Sequence, residues 1–156
     1  MVRRCMRVRA GVLLALMLAV VVAGCSGGDD HGAYVKALNR AQAQLAARFA
    51  KLQSRITPTS DAAQDVKTLQ AYEAAVATTV GDLRAVEPPA GLAPLHRRFV
   101  AEVTAYGAAL RKARGELRAE DPQAILAAQG RLRSAVAATG RQLNATIQAI
   151  NRKLEG

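Results

Sequence analysis

From residue 33 onward apolar positions recur with a period close to 3.6, and strand-like alternation is absent. Tyr34, Leu38, Ala41, Leu45, Phe49, Leu52 and Ile56 are spaced by three or four residues and keep one face apolar. Thr57-Pro58-Thr59-Ser60 breaks this stretch. Ser60 is a plausible N-cap for the next helix, where Asp61 and Asp65 lie near the positive end of the dipole. The second stretch presents Ala62, Val66, Leu69, Tyr72 or Glu73, Val76, Val80 and Leu83, and Glu87-Pro88-Pro89 ends it. The third presents Leu92, Leu95 or His96, Phe99, Val103, Tyr106, Leu110, Ala113 and Leu117. Pro94 is tolerable only in its first turn. Asp121-Pro122 reads as an N-cap followed by proline at the first helical position. The fourth carries Ile125, Leu132, Val136, Leu143, Ile147, Ile150 and Leu154.

Four long amphipathic stretches with short connections predict an all-α domain, an antiparallel up-down-up-down four-helix bundle over residues 33–156. Gly81, Gly107, Gly115, Gly130 and Gly140 fall inside the helices, where mild bends or close crossings are expected.

The N-terminus has a different pattern. Arg3, Arg4, Arg7 and Arg9 precede 14 residues, 10–23, without a charge or a polar side chain. A membrane-spanning helix needs about 20, so residues 1–24 read as an export signal. The signal ends in Val22-Ala23-Gly24-Cys25. An aliphatic residue, two small ones and a cysteine resemble the lipobox of bacterial lipoproteins. The resemblance implies a diacylglycerol on the Cys25 thiol, cleavage before Cys25 and usually acylation of the new amine. It also implies an extracytoplasmic chain anchored to the cell membrane by lipid, with Cys25 unable to act as nucleophile, metal ligand or disulfide partner. Residues 25–32, with Ser26, Gly27, Gly28, Asp29, Asp30, His31 and Gly32, read as the lipidated cysteine and a flexible tether. Asp29, Asp30 and His31 are too few donors for a metal clip, so no metal is expected.

Composition adds constraints. Hydrophobic residues make up 51%, much of it alanine, and aromatics only 3% with no Trp, which suits close helix packing. The formal net charge is +10. Of 22 basic residues four belong to the signal, so 18 remain against 12 acidic ones, a net +6. An exported chain without basic-aromatic stacking platforms is not expected to bind nucleic acid. The remaining charge suits anionic lipid heads or wall polymers.

No catalytic residue and no cofactor are expected. Met1, Met6 and Met17 all lie in the signal, so a Met/His haem site is not available after processing. C-x-x-C-H, Glu-x-x-His, G-x-S-x-G and phosphate-binding glycine loops are absent. Asp61 and Asp65 at i, i+4 read as carboxylates at a helix start.

Two groups remain as candidate sites. A hairpin of the second and third helices turning about residue 89 sets His96 opposite Asp82 and Tyr72 near Tyr106. A His96–Asp82 hydrogen bond and core-filling tyrosines are the plain reading; a ligand pocket near these four residues is the functional one. Arg111, Arg114 and Arg118 line one face of the third helix, with Arg131 and Arg133 near it on the fourth and Glu116, Glu120 and Asp121 interspersed. That face reads as salt-bridged surface or as a patch for an envelope protein or anionic polymer. The string from Pro88 to Val100 is similar to a stretch in small Ala/Arg-rich lipoproteins of high-GC bacteria; the likeness implies a helical bundle and an exported location and brings no activity with it. The expected function is thus a monomeric, lipid-anchored interaction or structural module of the envelope, with a small-molecule or metal carrier as the alternative.

Overall fold

The computed structural model describes residues 29–53, 55, 62–117 and 122–155. Four helices account for nearly all of them: α1 Asp29–Gln53, α2 Ala62–Arg84, α3 Ala93–Glu116 and α4 Pro122–Glu155. A 3-10 turn, Ala90–Leu92, leads into α3. The lipobox Val22, Ala23, Gly24 and Cys25, the expected caps Ser60 and Asp121, and Ile56, Asp61, Arg118 and Glu120 lie outside the described residues.

The helices pack in chain order, α1 on α2, α2 on α3 and α3 on α4, as an up-down four-helix arrangement. Helix α3 starts with Pro94 in its first turn, where a missing N–H costs nothing. Helix α4 starts at Pro122, as its fixed φ favours. Helix α2 ends at Arg84, ahead of the two prolines. The 3-10 turn is closed by a 2.8 Å bond from the Leu92 N–H to the Pro89 carbonyl. One boundary differs from the sequence reading. The structure places residues 29–32 in the first turn of α1 rather than in the tether. Two aspartates at that end, Asp29 and Asp30, suit the positive pole of the helix.

The core is built from the apolar stripes. Tyr34, Leu38, Phe49 and Leu52 of α1 meet Leu69, Tyr72, Val76, Val80 and Leu83 of α2, with Val100, Val103 and Leu110 of α3 and Leu143 and Ile150 of α4. Buried hydroxyls are satisfied locally: Thr68 donates to the Gln64 carbonyl at 2.9 Å and Thr79 to the Ala75 carbonyl at 3.0 Å. Between α3 and α4, Glu102 Oε1 accepts from Thr146 Oγ1 and from Arg98 Nε, each at 2.9 Å.

Of the glycines expected to mark mild bends or close crossings, Gly107 sits at a close crossing. A Cβ on Gly107 would stand 3.2 Å from Val76 Cγ1, so α3 approaches α2 closely there. Gly81, Gly115 and Gly130 face open space. Helices α1 and α4 are not a packed pair, which leaves the bundle open along one seam.

Candidate functional site

His96 is 5% exposed, and neither of its ring nitrogens meets Asp82. Nε2 lies 3.0 Å from the Leu83 carbonyl and Nδ1 lies 3.2 Å from the Tyr34 hydroxyl. A carbonyl can only accept, so Nε2 carries the proton and donates to Leu83. Nδ1 then accepts from the Tyr34 O–H, and the ring is neutral. Burial lowers the His96 pKa from its ordinary value, with the Leu83 bond opposing in part. Burial pushes the Tyr34 phenol up to about 12. Asp82 is exposed on α2. The reflected hairpin register is off by one residue, and the carbonyl of Leu83, not the carboxylate of Asp82, faces the imidazole. The result is a tie among α1, α2 and α3 with both nitrogens engaged and none free for a ligand.

Tyr72 and Tyr106 do come together, but around a third ring. Phe49 stands edge-on to Tyr72 at 4.7 Å and tilted to Tyr106 at 6.1 Å between centroids. The Tyr72 hydroxyl donates to the Phe49 carbonyl at 3.5 Å. Burial raises both phenols, and Tyr106 reaches about 12 with a contribution from Tyr72.

Three arginines of the expected face, Arg111, Arg114 and Arg131, are engaged within the chain. Arg114 forks onto Glu73, Nε to Oε1 at 2.6 Å and a terminal nitrogen to Oε2 at 3.3 Å. Arg111 approaches the same carboxylate at 3.8 Å while mostly exposed. Arg131 pairs with Glu116 at 3.2 Å. Arg133 has no carboxylate partner among the described residues and instead lines a cavity.

That cavity, of about 380 Å³, opens along the seam between α1 and α4. Leu38, Ala41, Leu45 and Phe49 form one wall, and Val136, Gly140, Leu143 and Ile147 the other. Its floor is Leu83, Phe99, Val103 and Tyr106. Gln42, Arg133, Arg141 and Asn144 add polar groups to an otherwise apolar surface, and no Asp or Glu lines it. Of the four residues expected near a ligand, only Tyr106 lines this cavity; His96, Asp82 and Tyr72 do not. A second hollow, about 560 Å³, lies at the end of the bundle between the start of α1 and residues 85–90, with Asp30, Tyr34 and Glu87 in its walls.

Sequence reasoning misses the groove because its apolar walls look like ordinary core. The available signal is the set of small residues at facing positions, Ala41 and Ala46 on α1 with Ala137 and Gly140 on α4, which cannot fill the space between two helices. Among the described residues no group of three His, Cys, Asp or Glu side chains could hold a metal ion, and no helix is long and apolar enough to cross a membrane. Comparison of the chain with protein-family profiles, curated proteins and solved structures finds no match.

Proposed function

We propose that this chain is a lipid-anchored, extracytoplasmic helical bundle that carries a small molecule with an apolar body in the groove between α1 and α4. The observation that carries the reading is the cavity of about 380 Å³, apolar and open to solvent along one seam. Small-molecule sites fall in a range of about 300–1,000 Å³, with apolar walls and a few placed polar groups. An open groove of this kind presents apolar surface that a ligand's apolar body can cover. The lipobox resemblance at Val22–Cys25 supports the location. The chain is read as a monomer without a cofactor, and not as an enzyme.

The alternative, an interaction module using the arginine face, has less support. Arg111, Arg114 and Arg131 already have carboxylates at hand, so a partner would have to compete for them.

Native mass spectrometry of the full chain extracted gently from its own envelope tests the carrier reading. A bound apolar mass is expected on the wild type and should be lost from Val136→Trp, which fills the groove. No bound mass on the wild type, or equal retention by the variant, would overturn it. Location is tested separately by metabolic labelling with a fatty-acid probe. The wild type should be tagged and Cys25→Ala should not, and equal tagging of both removes the anchor.

A further inference from the structure

The groove has a charge preference built into one lip. Arg133 is the first groove-lining residue of α4, and Arg141 follows two turns later, about 12 Å along the axis. Both are exposed, and neither has a carboxylate within 4 Å among the described residues. Arg114 on α3 and Arg131 on α4, by contrast, are paired. The groove thus combines two uncompensated cations with no acidic group and a long apolar trough. From Leu38 to Phe49 on α1 and from Val136 to Ile147 on α4, the trough runs about 16 Å.

We infer that the ligand is a single-chain anionic amphiphile, a long-chain carboxylate, with its tail in the trough and its head at Arg133 and Arg141. This rests on the carrier reading above and specifies its ligand. An apolar tail accounts for the walls, since Leu38, Leu45, Phe49, Val136, Leu143 and Ile147 offer no hydrogen bonds. The volume, near the lower end of the range for small-molecule sites, suits one tail rather than two. A carboxylate accounts for the lip, because guanidinium binds it through paired charge-assisted hydrogen bonds. Gln42 and Asn144 on the two lips can donate to the same head through neutral amides. A cationic amphiphile would meet two like charges, and an uncharged one could accept their hydrogen bonds but would lack the ion pair.

The test uses two photoactivatable probes on the full chain in its own membrane, a diazirine-bearing long-chain fatty acid and the alcohol of the same length. Labelled peptides are mapped by mass spectrometry. The acid is expected to label the peptides covering residues 38–49 and 136–147 about tenfold more than the alcohol, the ratio that one charge-assisted hydrogen bond supports. The double variant Arg133→Gln, Arg141→Gln should lose that preference while labelling by the alcohol is unchanged, which also shows that the groove is intact. Equal labelling of the wild type by acid and alcohol would overturn the head-group assignment and leave the carrier reading standing. Groove labelling by neither probe would overturn both.

Discussion

At the scale of single residues, the Tyr34–His96–Leu83 chain of hydrogen bonds is the most exacting part of the molecule. Removing the Tyr34 hydroxyl strands a buried nitrogen, and such a loss costs about 1–3 kcal/mol. Tyr34→Phe should therefore lower stability by that amount in chemical unfolding, with helix content unchanged; an unaltered midpoint would deny the bond its role. The same chain predicts a pH response. Burial lowers the folded pKa of His96, so the unfolded chain binds more protons as the solution is acidified. Stability from the neutral ring is complete above its ordinary value of 6.5 and is lost as pH falls through that value towards the lower folded one. Subtracting a His96→Gln series from the wild-type series should expose this loss, and two parallel curves would contradict it. Little of this detail could be read in the sequence. The placement of His96 on the inner seam was legible, because it shares the heptad spacing of Val103 and Leu110. Its partners were not, since a reflected hairpin places residues only to within one position. Tyr34 comes from a different helix altogether.

At the scale of elements, periodicity was enough to locate all four helices, and the prolines fixed where α3 and α4 begin. The start of α1 was harder, because glycines and aspartates suit a tether and a helix start alike. Glycines divide into two kinds that sequence alone does not separate. Gly130 is exposed inside α4, with open space where a methyl would stand, so Gly130→Ala should stabilise by about 0.5–1 kcal/mol through helix propensity. Gly107→Ala gains the same propensity but presses on Val76 at 3.2 Å, so it should gain less or lose. Thermal unfolding of the pair reads the difference, and equal shifts in both would mean that α2 yields freely at the crossing.

At the scale of the whole molecule, the open seam sets a gradient of stability. Helix α3 is packed against α2, α4 and the 3-10 turn, whereas α1 is packed closely against α2 and reaches α3 only through side chains such as Tyr34 and Phe49. Regions with fewer packed neighbours open at lower free energy. Native-state hydrogen exchange should therefore find α1 opening below the global unfolding free energy and α3 only with it. Equal protection of the two helices would imply a closed bundle. Fold class was legible from the four stripes. Closure was not, because whether the first and last helices meet depends on side-chain volumes such as those of Ala41 and Gly140 rather than on period.

The early start of α1 also acts as a ruler. With the anchor proposed at Cys25, only four residues separate the lipid from Asp29, a leash of at most about 14 Å. The pole of the bundle carrying Asp30, the 85–90 connection and the tail of α4 would then hover against the bilayer instead of swinging free. Leu38, at the near end of the trough, is nine residues further along α1, or about 14 Å. A single-chain lipid leaving the membrane could pass into the trough with little of its length exposed to water.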